Sequence, residues 1–254
     1  MDVGQLLQAP RAEDFEETAL LDAVFCGDRL AGEVDLFEQC ARQWRAPRGP
    51  WLEPACGSGR YLRALAARDI PTVGFDIDEG MLDYARKAAL RQRRGAKIEL
   101  LRADMADFLT TLGRRRFAVA FNPVNTIRHL HRPRQMSSHL RQIAAALKPG
   151  GLYLVGISFS RYDEEEPSED VWTAKRGRTA VRQIIQYLPP DRSTRMETVL
   201  SHLQVDRPSG REYLDSTYQL RSYDLDQWNG VVRRSPLRRV CAIDDLGNPV
   251  TCLL

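Results

Sequence analysis

The stretch from Trp51 to Asp76 constrains this chain more than any other. A short apolar run, Trp51-Leu52, leads into Glu53-Pro54-Ala55-Cys56-Gly57-Ser58-Gly59-Arg60. A segment of helical pattern follows, and then a second apolar run, Val73-Gly74-Phe75, ends on Asp76. Gly57 and Gly59 permit backbone angles closed to other residues and let a ligand approach the main chain. The first N–H groups of the helix that the turn feeds have no internal partner, so the loop favours polar or anionic ligand groups. A carboxylate at the end of the next strand can accept from both hydroxyls of a ribose. Strand, glycine turn, helix, strand and acid together make the first half of a nucleotide-binding α/β domain.

Two ligand readings compete at this turn. A dinucleotide fingerprint wants a third glycine three residues after the second. That position holds Leu62, so the fingerprint is incomplete. The acid that opens the motif points elsewhere. Glu53-Pro54-Ala55-Cys56-Gly57-Ser58-Gly59-Arg60 resembles motif I of the class I S-adenosylmethionine (SAM)-dependent methyltransferases, with Ala55 where the family often has its first glycine. Later signals resemble that family in order and spacing. Ile98-Glu99-Leu100-Leu101-Arg102-Ala103-Asp104-Met105 reads as a third strand, at 97–101, followed by an Asp. Phe117-Ala118-Val119-Ala120-Phe121-Asn122-Pro123 reads as a buried fourth strand. Leu147-Lys148-Pro149-Gly150-Gly151-Leu152 reads as a helix end, a turn and the start of a fifth strand. An ordinary α/β domain explains the glycines of the last motif, but not acids at the ends of two successive strands.

The resemblance implies a site. Glu53, Ala55, Cys56, Gly57 and Gly59 would cradle the methionine part of SAM. Asp76 would take the ribose and Ile77 would pack on the adenine. Asp104 would accept from the adenine amine, and Met105 would donate a backbone N–H to the ring. Asn122 would face the methionine moiety and the methyl group. Asp78 reads better as a helix cap than as a ligand contact. His129, following the fourth strand, is the candidate general base, needed only if the acceptor arrives protonated. A loop histidine is more often structural. The product would be S-adenosylhomocysteine, and no metal is expected.

Composition narrows the class. The chain has 254 residues, 43% of them hydrophobic, enough for one large domain with an insertion. No apolar run approaches the roughly 20 residues of a membrane helix, and the start shows no signal-peptide pattern. Five scattered cysteines without Cys-x-x-Cys spacing point to a reducing, cytoplasmic setting and against structural zinc. The net charge of +3 is too mild to imply nucleic acid. The arginine clusters at 91–94 and 114–116 read as solvated helix ends.

Strands alternating with helices from residue 50 to 160 predict a parallel sheet with helices on both faces. The expected helices are 58–68, 79–92, 104–112 and 133–147. Helical patterns at 12–46 predict a lid within residues 1–49. After an acidic loop at 163–170, alternating segments at 179–188, 195–205 and 211–223 predict an antiparallel insertion over 161–223. The last part, 224–254, is expected to add a helix and two strands, about 237–243 and 249–253, closing a seven-stranded sheet. The whole reads as a Rossmann-like α/β fold with an antiparallel cap. That arrangement resembles small-molecule methyltransferases acting on glycine or on amino sugars of macrolide antibiotics. It favours transfer to N or O of a small acceptor under a roof, which could also pair two copies of the chain. An RNA methyltransferase, a non-catalytic SAM-binding regulator and an NAD oxidoreductase are the rivals.

Overall fold

Apolar runs and amphipathic stretches alternate along the first half of the chain, and in the computed structural model they form a layered core; the structure describes residues 28–92 and 95–243. Helix α1 (Asp28–Gln43) precedes β1 (Trp51–Pro54), α2 (Arg60–Ala67), β2 (Thr72–Asp76), α3 (Glu79–Arg91) and β3 (Ile98–Arg102). Then come α4 (Leu109–Leu112), β4 (Phe117–Asn122), α5 (Pro133–Ala146) and β5 (Leu147–Val155). The five strands form a parallel sheet in the order β3-β2-β1-β4-β5. Strand order reverses between β1 and β4, so a ligand fits in the crevice beyond their carboxyl ends.

Both faces of the sheet are covered, which is why β1 and β4 are buried throughout, with Phe117 to Phe121 of β4 an apolar run. Val34 and Phe37 of α1 and Tyr61, Leu62 and Leu65 of α2 pack on Trp51 and Phe121. On the other face Phe108, Leu112, Ile143 and Ala146 pack on Leu52, Phe75 and Phe117. Asp78 caps α3 by accepting from the Met81 amide at 3.0 Å, as its sequence position predicts.

A second sheet follows. Strands β6 (Ser168–Arg176), β7 (Thr179–Tyr187), β8 (Met196–Arg207) and β9 (Gly210–Arg221) form an antiparallel meander, and α6 (Leu225–Arg233) returns the chain to the core. In β8 the odd-numbered residues 197 to 205 are buried and the even ones are not, so one face of this sheet is covered and the other is wet. The covered face meets the core at its near end. There the Arg128 guanidinium donates to the Glu197 carboxylate, and Arg128 Nε donates to the Arg221 carbonyl at 2.9 Å.

The structure departs from the sequence expectations in four places. The helix expected at 104–112 is a single turn, 109–112. Its first half is diverted because Asp104 Oδ1 takes the Ala106 amide at 2.7 Å, and Gln142 Oε1 takes the amides of Phe108 and Leu109. The acidic loop ends early: residues 168–176 are a fourth cap strand, paired with β7 along its length. It escapes pattern reading because an edge strand of mixed polar residues has no apolar alternation. Pro149, Gly150 and Gly151 lie inside β5, where the register against β4 shifts between Phe117 and Val119. Residues 237–242 carry no strand, since Leu237 is drawn into the core beside α5 instead of pairing at the sheet edge. The described sheet therefore has five strands; the expected strand at 249–253 and the expected helix before residue 28 lie outside the described residues. No helix among the described residues is long and apolar enough to cross a membrane.

Candidate active site

The glycine turn and the end of β2 are stitched together. Ala55, Gly57 and Gly59 hold φ angles of 50°, 51° and 70°. Glycine adopts that left-handed region freely; alanine enters it at a cost. The Cys56 amide donates to the Phe75 carbonyl at 2.9 Å. The Gly57 amide donates to Asp76 Oδ2 at 2.8 Å, and the Asp78 amide donates to Oδ1 at 3.0 Å. Asp76 thus fixes the loop, and each of its oxygens retains capacity to accept a second hydrogen bond. Burial pushes the Asp76 carboxyl up, while the amides of Asp78 and Gly57 pull it back.

Leu62 and Gly74 explain each other. A β-carbon added at Gly74 would lie 2.3 Å from Leu62 Cδ1 and 2.9 Å from Cys56 Sγ. In the dinucleotide fingerprint the third glycine sits on the helix so that helix and strand can approach. Here the helix carries leucine and the strand carries the glycine. Cys56 is buried in this packing, and burial raises its thiol well above the usual range, so it is no nucleophile.

Glu53 is the unusual group. It is 4% exposed, and its Oε2 is buried without a hydrogen-bond partner. Burial holds its carboxyl well above the ordinary range, Arg60 opposes that, and Asp76 adds to it. A buried carboxylate oxygen without a hydrogen-bond partner is costly, so a cationic, hydrogen-bonding ligand group is a natural complement. Ile77, by contrast, is 61% exposed although apolar, which suits packing against a flat ligand. Asp104 is exposed too, in the turn that carries Met105; the Ala103 amide donates to the Asp76 carbonyl at 3.0 Å, which sets the start of that turn beside the end of β2.

Asn122, at the end of β4, is fully buried and donates from Nδ2 to the Pro54 carbonyl at 2.7 Å. It ties the ends of the two central strands together at the crevice. Just after it, Val124 and Asn125 take φ angles of 56° and 63°. The Gly156 amide donates to the Asn122 carbonyl and the Asn125 amide to the Gly156 carbonyl, clamping this turn. His129 follows, with its ring stacked on Tyr218 of β9 at 5.8 Å between centroids. Desolvation against the cap, with the His131 and Arg128 charges, lowers the His129 pKa, so its ring is neutral at pH 7.

The cap aromatics divide. Trp172, Tyr187 and Tyr218 pack around Ile185, Val199 and Leu220, whereas Tyr213 is exposed. Arg195 lies over the Tyr223 ring. Arg115 and Arg116 immediately precede β4, at the amino end of the sheet and so at the far end from the crevice; Arg115 pairs with Glu99. Arg91 closes α3 and likewise precedes a strand. Among the described residues no group of His, Cys, Asp or Glu has the makings of a metal site.

Sequence reasoning missed one part of this region. Tyr153 donates to Asn122 Oδ1 at 2.7 Å and contacts His139 Nε2 at 2.7 Å, and His139 Nδ1 donates to the Met105 carbonyl at 2.9 Å. The available signal was His139 itself, a polar residue on the buried face of α5 between Met136 and Ile143.

Comparison with known proteins bears on the fold that carries these residues. Residues 52–151 match the model of a family described as a methyltransferase domain. The match takes in 100 of the 254 residues, including the glycine turn and strands β2 to β4. The chain is 26% identical over 178 residues to a dTDP-3-amino-3,6-dideoxy-alpha-D-glucopyranose N,N-dimethyltransferase of Streptomyces fradiae. That match covers 70% of this chain and 65% of the relative, so it spans just under two thirds of the relative's length. Among solved structures, Streptomyces venezuelae DesVI superposes with a TM-score of 0.73 at 20% identity, over 96% of this chain and 97% of DesVI. SAM-bound CalS10, an amino pentose methyltransferase of Micromonospora echinaspora, superposes with a TM-score of 0.65 at 18% identity, over 89% and 88% of the two chains. The cap sheet falls within these superposed lengths, so the likeness reaches beyond the methyltransferase domain.

Proposed function

We propose that this chain is a SAM-dependent methyltransferase that methylates a nitrogen of a small acceptor, with an amino sugar as the acceptor class. One observation carries the cofactor reading: Asp76 clips the glycine turn through the Gly57 amide while Glu53, at the start of that turn, is buried with its Oε2 lacking a hydrogen-bond partner. That pair suits a ligand with a ribose at one end and a cationic amino acid at the other. Asp76 takes the ribose hydroxyls, Ile77 packs on the adenine, and the segment of Asp104 and Met105 meets the base edge. The loop around Ala55 and Gly57 holds the methionine part, and Glu53 balances its charge. When bound there, SAM supplies a methyl group on a sulfonium, already activated for displacement.

What remains for the chain is to hold the acceptor nitrogen in line and to exclude water. The cap supports that role, since the face that meets the core carries Tyr187 and Tyr218 and ends on the turn bearing His129. An amine acceptor arrives protonated at neutral pH, and a neutral His129 can take that proton. The roof and the placement of the arginines at the opposite end of the sheet disfavour RNA. The acceptor named for the Streptomyces relative supports an amino sugar.

Calorimetric titration with SAM, S-adenosylhomocysteine and NADH tests the cofactor. Binding of the first two alone is the expected result, and binding of NADH alone would overturn it. Labelled SAM with a dTDP-linked amino sugar then tests the acceptor. His129→Gln is expected to lower kcat about 10²-fold or more with SAM affinity unchanged.

A further inference from the structure

Asn122, Tyr153 and His139 form a chain of contacts that runs from the Pro54 carbonyl to the Met105 carbonyl. At one end Asn122 Nδ2 donates to the Pro54 carbonyl, 2.7 Å away, beside the turn that holds the methionine part. At the other end His139 Nδ1 faces the Met105 carbonyl at 2.9 Å, in the segment placed against the adenine. Between them the Tyr153 hydroxyl lies 2.7 Å from Asn122 Oδ1 and 2.7 Å from His139 Nε2.

The protons in this chain can be counted. A carbonyl only accepts, so the Asn122 amide must present its nitrogen to Pro54 and its oxygen to Tyr153. For the same reason His139 must carry its proton on Nδ1, toward Met105. His139 is fully buried and its pKa is lowered to about 4, chiefly by desolvation, with the Met105 carbonyl and Asp104 opposing. The ring is therefore neutral at pH 7, and Nε2 is bare. Burial raises the Tyr153 hydroxyl well above its ordinary range, so it keeps its proton. One hydroxyl proton thus stands between two acceptors, Asn122 Oδ1 and His139 Nε2.

We propose that Tyr153 and His139 are positioning residues of the cofactor site, a relay whose shared hydroxyl proton couples the adenine-side segment at Met105 to the methionine-side floor at Asn122 and Pro54. The inference rests on the SAM reading above. The hydrogen bond to Asn122 holds the floor in the geometry that receives the methionine part; the adenine-side segment keeps its own holds, from His139 Nδ1 to the Met105 carbonyl and from Ser138 and Gln142 to the Ala106 carbonyl. Neither residue touches the reacting atoms in this scheme. The relay works through Asn122 on one side and through the Met105 backbone on the other. Ser138 Oγ and Gln142 Nε2 of the same helix hold the next carbonyl, Ala106, at 2.8 and 2.7 Å, so α5 is already the support of that segment.

Fragment binding separates this role from a structural one. Tyr153→Phe keeps the ring and removes the proton. It is expected to weaken SAM binding about tenfold in calorimetry while adenosine binding changes by less than about twofold. In an Asn122→Ala background the same substitution is expected to have no further effect on SAM, because the coupling passes through Asn122. Equal losses for SAM and adenosine, no loss for either, or additive losses in the double variant would overturn the inference. Nitrogen-15 spectra of the wild-type imidazole give a second reading that needs no folded variant. The His139 Nε2 resonance should show an unprotonated nitrogen that moves on adding SAM; a protonated or unmoved Nε2 counts against the relay. Wild-type protein that binds neither SAM nor adenosine sinks the cofactor reading itself, and the inference with it.

Discussion

Glu53 shows what a single side chain can report about this site. A buried acid whose folded pKa is raised is protonated on folding, and that contribution to stability is present below the unfolded value and lost as pH rises through the folded one. A cationic ligand reverses the preference by favouring the ionised form. SAM binding should therefore release protons and tighten as pH rises, through a window lying above the ordinary carboxylate range. Calorimetry in two buffers of different ionisation enthalpy measures the release directly; Glu53→Gln is expected to abolish both the release and the pH dependence. No proton release from the wild type would mean that Glu53 does not sense the ligand's charge. Ala55 gives a second test at the same scale. Its φ of 50° costs an alanine about 1–2 kcal/mol that a glycine does not lose. Glycine's freer unfolded chain offsets about 0.4–1 kcal/mol of the gain. Ala55→Gly should thus raise stability by about 0.5–1 kcal/mol, read as a shift in the urea midpoint.

At the scale of elements, β2 and α2 fit because Gly74 leaves room for Leu62 and Cys56. Gly74→Ala is expected to destabilise by about 1–3 kcal/mol through overpacking. Leu62→Ala alone should lose about 2–5 kcal/mol. Combined, the two should lose less than their sum, since the truncated leucine makes room for the new methyl. Additive losses in urea unfolding would show that helix and strand do not meet there. The missing third glycine at Leu62 was legible in the sequence, but its complement on the strand was not, because glycine in a strand can mark many things. The same limit applies elsewhere. The long strands β4 and β8 announce themselves by burial pattern, and the glycine turn by its residue order. The strand at 168–176 and the shortened helix at 109–112 depend on partners remote in sequence, β7 and Gln142, which local pattern does not contain. His139 and Tyr153 stayed hidden for the same reason, since their roles exist only once α5 and β5 lie side by side.

For the molecule as a whole, the question is what sets the cap over the crevice. The expectation of a parallel core with an antiparallel insertion rested on alternation and turn clusters, and the structure shows both sheets. How they meet was not readable, because the meeting rests on Arg128 and Glu197, two residues 69 apart with side chains 4% and 10% exposed. Nothing near either in sequence marks it as a partner. Removing one member of a buried pair leaves the other charge uncompensated, which typically costs about 3–5 kcal/mol, whereas replacing both with apolar residues of similar volume is often neutral. Arg128→Met and Glu197→Leu are each expected to destabilise by about that amount, and the double substitution by much less than the sum. The Arg221 carbonyl loses its donor whenever Arg128 is replaced, so the double variant should retain a residual loss of about 1 kcal/mol. Because the junction lies between cap and core, both single variants should also lose acceptor turnover while binding SAM as the wild type does. Urea unfolding and SAM calorimetry on the four proteins of this cycle read the two effects separately. Independent losses in stability, or SAM affinity falling in step with turnover, would show that the cap is positioned by something other than this pair.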